Sequence, residues 1–456
     1  MVCDYFFPSV GGVETHVQAL ALSLMELGHA VIVYTRRYGE LSGDHTLPCG
    51  LRVHYADIPA VFAKCVLPSV VSLLPSFSAL VSRERISIVH THAVCTMAIE
   101  CMPLAAQLGC AVVHTEHSSF ALDGVASRVL NRLQRAAMCQ ADAVTAVSQA
   151  SRANLCARCG LVPARVHVIP NAVDTAVFTP RPGRRPSDGT VVIVVMARMT
   201  RRKGAHLLAE VVPHVCARCP RARFIIGGGG PHLRRLRSVC DAHGLLGTRV
   251  ELLGEVAHVH VADVLTRGHI FLNASVTEAF CMGILEAVAC GLLPVSTRVG
   301  GVPEILPPGM VRFAEPDTQS IVDALADAVG AAGACEVRCH HAEVAAMYSW
   351  RSVALRTHAV YAEAAHLAHA RPRLTLAQLC RRDMIAASAT LLQQICLLLL
   401  RVWRAAPTWT SSARRSGAPV RGARLLARLG VGGALFSAAV MVSGEKHVDG
   451  DGAARA

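Results

Sequence analysis

The stretch Thr277-Glu278-Ala279-Phe280-Cys281-Met282-Gly283-Ile284-Leu285-Glu286-Ala287 decides how this chain is read. It follows His269-Ile270-Phe271-Leu272-Asn273, whose short apolar run has the character of a buried strand. Beyond it, residues 284–290 carry a helical pattern that Gly291 closes. Glu278 then falls in the loop and Glu286 inside the helix. The segment Phe280-Cys281-Met282-Gly283 would present backbone N–H groups at a helix N-terminus, a natural anion site. A carboxylate beside sugar hydroxyls, a second beside a ribose and N–H groups beside phosphate suit a nucleotide sugar. The competing reading makes Glu278 a helix cap and Glu286 a solvated charge, since E-x7-E alone is a loose pattern. The rest of the chain decides between them.

Immediately outward, the same alternation repeats. Residues 191–196 form a continuous apolar strand, followed by Ala197-Arg198-Met199-Thr200-Arg201-Arg202-Lys203-Gly204 and a helix. Arg198 and Lys203, five apart after a strand, are placed to face a diphosphate, the one as a planar fork and the other as a point charge. Arg201 and Arg202 read as a solvated basic loop. Phe224-Ile225-Ile226 runs into four glycines, 227–230, which fit either a phosphate loop or a bend. Residues 293–296 lead to Arg298-Val299-Gly300-Gly301-Val302-Pro303-Glu304. This is one doubly wound half.

Upstream, residues 181–189 (Arg-Pro-Gly-Arg-Arg-Pro-Ser-Asp-Gly) read as a linker. Before it lies a second such half. Residues 1–5 read as the end of a strand, Pro8 to Glu14 as a loop bearing Gly11 and Gly12, residues 15–27 as a helix and 30–35 as a strand. The paired glycines allow close backbone approach to a ligand. G-x-G-x-x-G is missing from the loop, which excludes a dinucleotide fingerprint and with it a dehydrogenase. Strands at 86–90 and 111–115 lead into Thr91-His92 and Glu116-His117-Ser118-Ser119. Polar residues just past strand C-termini mark binding crevices in such sheets, so His117 is a site candidate, with a loop cap as its plain alternative. The ligand is expected in a cleft between the two halves. So few residues precede the first strand that either more chain upstream or an unusually short start is expected.

Composition narrows the function classes. The chain has 456 residues, enough for two or three domains, and aromatics at 4% disfavour a stacking surface for single-stranded nucleic acid. Cys156 with Cys159 and Cys216 with Cys219 make C-x-x-C pairs, but both lie in Ala/Arg-rich helical patterns without companion histidines at finger spacing. Free thiols in a reducing compartment are the better reading. From residue 371 onward thirteen Arg/Lys face four Asp/Glu, +9 of the total +13. A basic tail with apolar runs at 384–400 and 429–444 points to an anionic membrane surface rather than to nucleic acid. Both runs sit at or below the length of a bilayer span, so a marginal span or an interfacial helix over 384–403 is expected.

These residues resemble the retaining GT-B glycosyltransferases, and most narrowly the catalytic subunits of phosphatidylinositol N-acetylglucosaminyltransferase, which begin glycosylphosphatidylinositol (GPI) anchor synthesis. The resemblance covers about residues 1–350. It is carried by Asp4-Tyr5-Phe6-Phe7-Pro8 through Gly11-Gly12-Val13-Glu14, by His114-Thr115-Glu116-His117-Ser118 and by Val168-Ile169-Pro170-Asn171-Ala172-Val173-Asp174. Arg202-Lys203-Gly204, Gly268 to Asn273, the Glu278–Glu286 segment and Ser296-Thr297-Arg298-Val299-Gly300-Gly301 complete it. It implies two Rossmann-like domains facing a cleft, an acceptor-side domain at 1–180 and a nucleotide-sugar domain at 190–350, joined by the linker. A helical segment at 351–371 and a membrane-associated tail at 372–456 follow.

The resemblance further implies a UDP-N-acetylglucosamine donor, a phosphatidylinositol acceptor, retention of configuration, no metal and no cofactor. Arg198 and Lys203 would hold the diphosphate, with Gly11 and Gly12 closing over it. Glu286 would take the ribose, and Glu278 with the Phe280-Cys281-Met282 backbone the transferred sugar. His117 would help position the reacting groups, and the reaction would run by front-face attack without an enzyme nucleophile. Partner subunits are implied as well, with a catalytic region that faces the cytosol from the endoplasmic reticulum membrane. The tail beyond residue 371 departs from the family's pattern.

Overall fold

A computed structural model describes residues 1–62, 65–66, 70–120, 125–334 and 340–370. The expected membrane segment 384–403 and the rest of the tail lie outside these residues. The chain divides into two compact units, one made of Met1–Ala146, Arg152–Val168 and the chain from Ala354, the other of Val147–Ser151 and Ile169–Val353.

In the first unit, helix α1 (Gly12–Glu26) precedes β1 (Ile32–Arg36), β2 (Gly43–Thr46) and β3 (Arg52–Ala56), which pair in the order β1-β3-β2. A short antiparallel pair, β4 (Ala60–Phe62) and β5 (Cys65–Val66), leads to α2 (Val70–Arg83). Then β6 (Ile88–His92), α3 (Thr96–Gln107), β7 (Ala111–Glu116), α4 (Val125–Met138), β8 (Ala143–Ala146), α5 (Gln149–Cys159) and β9 (Val166–Val168) alternate, with the four strands parallel in sequence order. The expected first strand is a single residue, Val2, which bridges Tyr34 of β1 on one side and Thr91 of β6 on the other. It thereby joins the two sheet segments.

The second unit carries a six-stranded parallel sheet in the order β12-β11-β10-β13-β14-β15. Its elements are β10 (Val191–Met196), α6 (Ala205–Arg218), β11 (Ala222–Gly227), α7 (Leu233–Ala242), β12 (Val250–Gly254), α8 (Val261–Leu265), β13 (Ile270–Asn273), α9 (Met282–Ala289), β14 (Leu293–Thr297), β15 (Arg312–Ala314), α10 (Thr318–Ala334) and α11 (His341–Met347). β10 shows why its sequence is continuously apolar. Val191, Ile193 and Val195 enter the core on one face, Val192 and Val194 the core on the other. A parallel strand covered on both sides has no polar face to show.

Two stretches sit differently from the sequence expectation. Residues 169–180 belong to the second unit, because Val173 and Phe178 are buried in its core. The 181–189 stretch is likewise pinned there. It contains a 3-10 turn at Pro182–Arg184, Arg181 and Arg184 each reach Asp263 at 2.8 Å, and Arg185 donates to the Gly291 carbonyl. The last helix, α12 (Trp350–Ala370), contributes its portion from Ala354 to the first unit, where the Tyr361 hydroxyl lies 2.8 Å from His90 Nδ1.

Candidate active site

The opening motif forms one side of a loop cluster at the C-terminal ends of the second unit's strands. β13 ends at Asn273, residues 274–281 make the loop, and α9 begins at Met282 with Cys281 as its N-cap. Among the described residues no side chain caps this helix; the Ile284 N–H donates to the Cys281 carbonyl, while the Met282 and Gly283 N–H groups ahead of it can donate to an anion. Gly283 lets the first turn pack on the Phe271 ring; a Cβ there would come within 3.3 Å of it. The helix closes as expected, with Gly291 in the left-handed region at φ 81°.

Glu278 is buried in the loop and Glu286 half-buried inside α9. The Glu278 carboxylate accepts from Lys203 Nζ at 2.5 Å, and the Ser275 hydroxyl lies 2.8 Å from the same oxygen, Oε1. Lys203 ends a 3-10 turn, Arg201–Lys203, that lies between β10 and α6. Burial opposes its charge, but the carboxylate of Glu278 outweighs that and holds its pKa above the ordinary lysine value. Arg198, on the same loop, is exposed, and its like charge also bears on Lys203. Glu286 lies 3.7 Å from His258, a separation for an ion pair rather than a hydrogen bond, and raises the affinity of that imidazole for a proton against the effect of burial.

Glycines hold this loop where it is. Gly204, at φ 73°, passes so close to the Ala274 carbonyl that a Cβ would collide with it. Gly300, at φ 52°, and Gly301 pass equally close to the carbonyls of Glu278 and Ala279. Three glycines from two other loops thus clamp residues 274–279 from both sides. The Ser148 hydroxyl adds a bond to the Ala279 carbonyl at 2.7 Å. The glycines at 227–230 serve packing in the same way: Gly228 and Gly230 lie against the carbonyls of Ala197 and Met199, which favours the bend over a phosphate loop. Phe280 is half-buried, its ring 6.2 Å from that of Tyr348, and Met282 is half-buried.

The remaining candidates lie in the first unit. Gly11 is the N-cap of α1 and Gly12 its exposed first residue; a Cβ on Gly11 would meet the Glu14 carboxylate. His117 follows β7 and is not a loop cap. That work falls to Glu116, whose Oε1 accepts from the Ser118 N–H at 3.0 Å. Glu116 is itself held by Gln134 and by Arg158, each at 2.8 Å, the latter in a fully buried ion pair. His117 instead meets His92, with His117 Nε2 and His92 Nδ1 3.2 Å apart, and its ring packs against His16. Burial, reinforced by neighbouring histidines, pushes the pKa of both His92 and His117 well below the usual imidazole range, so both are neutral at pH 7. Sequence reasoning misses His16, which reads only as part of a helix, and Ser275, one of many polar residues after a strand. The cysteines of both C-x-x-C pairs are buried free thiols.

Known proteins agree with this architecture. Residues 10–177 match the model of Glycosyltransferase Family 4, and residues 190–331 that of Glycosyl transferases group 1. Sucrose-phosphate synthase from Thermosynechococcus elongatus superposes with a TM-score of 0.68 at 20% identity, over 78% of this chain and 94% of its own. Anabaena HepE in complex with UDP and glucose does so with a TM-score of 0.65 at 17% identity, over 79% and 98%. The fold is GT-B and the protein is a glycosyltransferase. A phosphatidylinositol N-acetylglucosaminyltransferase subunit from Arabidopsis thaliana is 44% identical over 79% of this chain and 80% of its own. Its Homo sapiens namesake is 41% identical over 79% and 75%, and the gpi3 subunit of the same transferase from Schizosaccharomyces pombe 40% identical over 79% and 79%. The chain belongs to the family of this phosphatidylinositol N-acetylglucosaminyltransferase subunit.

Proposed function

We propose that this chain transfers N-acetylglucosamine from UDP-N-acetylglucosamine to phosphatidylinositol with retention, the first step of GPI-anchor synthesis. The observation that carries the site assignment is the meeting of Lys203, Glu278 and the uncapped α9 N-terminus at one loop cluster. On this reading Arg198 and Lys203 neutralise the diphosphate as it departs, and the first-turn N–H groups of α9 share its charge. Among the described residues both side-chain contacts to the Glu278 carboxylate fall on Oε1, and on this reading Oε2 accepts a sugar hydroxyl. The Phe280-Cys281-Met282 backbone borders the transferred sugar. Glu286 accepts from the ribose hydroxyls, and its ion pair with His258 keeps it oriented on α9. Gly11 and Gly12 approach the donor by backbone alone. His117, neutral at physiological pH, offers a lone pair or an N–H to the reacting sugar rather than a charge.

Among the described residues no helix is long and apolar enough to cross a membrane. The proposed setting, at the endoplasmic reticulum membrane with the catalytic region toward the cytosol and with partner subunits, rests on the family and on the basic, apolar tail. Radiolabel transfer from UDP-N-acetylglucosamine to phosphatidylinositol, in membranes that express this chain with its partners, tests the whole assignment. Labelled N-acetylglucosaminyl phosphatidylinositol is the expected product. Label in another lipid, or none above membranes without the chain, overturns it.

A further inference from the structure

Three histidines from three separate elements meet at one edge of the first unit's sheet. His92 is the last residue of β6, His117 follows the last residue of β7, and His16 lies in the second turn of α1. Each offers one ring nitrogen, and the three atoms lie within 4.8 Å of one another. His92 Nδ1 and His117 Nε2 are 3.2 Å apart. Two imidazoles bound at roughly 2.0–2.1 Å to a tetrahedral ion would have nitrogens about 3.3 Å apart. A hydrogen bond between the two rings would account for that one distance, but not for the third ring, which packs edge-on against His117 with centroids 4.4 Å apart. His92 is also wholly buried.

We propose that His16, His92 and His117 form a three-imidazole site for a divalent transition metal of the zinc class, with a fourth position left for water or an anionic oxygen. The donor set decides the class. It holds neither the carboxylates and carbonyls that calcium and magnesium require nor the thiolates of closed structural zinc sites. Three neutral imidazoles suit zinc, cobalt, nickel or copper. The three ligands come from α1, β6 and the residue after β7, so the site is assembled only in the folded unit. The consequence for activity rests on the reading that His117 serves the transfer reaction: a bound metal withdraws that imidazole, and the site is inhibitory.

Cobalt(II) titrated into the 456-residue chain, purified in detergent without a histidine tag, tests the site directly. The expected result is one equivalent bound, with the visible absorption of a four-coordinate nitrogen and oxygen site. The near-ultraviolet thiolate bands that a C-x-x-C pair would give should be missing, and zinc should displace the cobalt. His92→Asn and His16→Asn should each weaken binding roughly 100-fold, at least as much as the loss of an outer partner costs such sites. Circular dichroism checks that the variants fold, and if His92→Asn does not, His16→Asn alone decides. No cobalt spectrum, or one unchanged in the folded variants, overturns the site. Zinc should also slow transfer and a chelator restore it. Cobalt binding without loss of transfer would remove His117 from the reaction and leave the metal site standing.

Discussion

Lys203→Ala separates two jobs that one side chain performs. In the folded chain its ammonium sits 2.5 Å from Glu278 Oε1, where the lysine side chain is 29% and the carboxylate 9% exposed. Removing it leaves that carboxylate buried with the Ser275 hydroxyl alone, and a charge-assisted hydrogen bond at such a site contributes about 1.5–3 kcal/mol. Arg198 is exposed, and its removal should stay within about 0.5 kcal/mol. Turnover should respond differently. Each variant removes one cationic stabiliser of the departing diphosphate, and the loss of one such group costs about 10²–10³ in kcat. Arg198→Ala should therefore be stable and slow, and Lys203→Ala both destabilised and slow. Adding Glu278→Gln to Lys203→Ala removes the stranded charge, so the double variant should recover stability but no activity. Because Glu278 raises the lysine pKa against the effect of burial, the lysine's share of this stabilisation is complete below the ordinary lysine value and is lost as pH rises through the raised one. Thermal unfolding by circular dichroism and radiolabel transfer measure the two effects. Near-wild-type turnover in either single variant, or a double variant no more stable than Lys203→Ala, would refute the reasoning.

Arg158→Met strands the fully buried Glu116 carboxylate and should cost about 3–5 kcal/mol, a large part of a domain's stability, seen as a lowered melting temperature and faster amide exchange around Ser118. A loss below about 1 kcal/mol would mean that Gln134 suffices to hold the carboxylate. Gly300→Ala places a methyl group against the Glu278 carbonyl at a left-handed backbone position. Overpacking of this kind costs about 1–3 kcal/mol, and donor KM should rise as the loop is displaced, whereas unchanged KM and melting would argue against the clamp. Transfer should survive EDTA, since Arg198, Lys203 and the α9 N-terminus supply the positive charge at the diphosphate. Loss of activity on chelation, rescued by manganese or magnesium, would count against that assignment.

Legibility follows the physics of each segment. The strand at Val191–Met196 is legible to the residue, because burial on both faces forces an unbroken apolar run and the glycines and prolines of 181–189 mark its start. β6 ends two residues later than its hydropathy suggests, at His92, because the polar run that starts at His90 continues the strand through Thr91 and His92. All three are buried polar residues inside the strand, satisfied in part by Tyr361, Thr115 and His114, and hydropathy registers such residues as an exit from the core. The 181–189 stretch has the composition of a linker but lies anchored, because three arginines find Asp263 and two carbonyls that are distant in sequence. At the site, the carboxylates and cations are legible singly, each from a strand end and a spacing. Their relation is not. Lys203 and Glu278 are 75 residues apart, and no local pattern says that one neutralises the other. The glycines carry the same lesson further. In the sequence, Gly204 reads as the end of one motif and Gly300-Gly301 as the middle of another. In the fold they close on one loop, at distances where a methyl group would collide with the carbonyls of Ala274, Glu278 and Ala279 in turn. The spacing of charges in such a chain records the ligand chemistry, and the glycines between them record how closely the loops must approach to hold those charges in place.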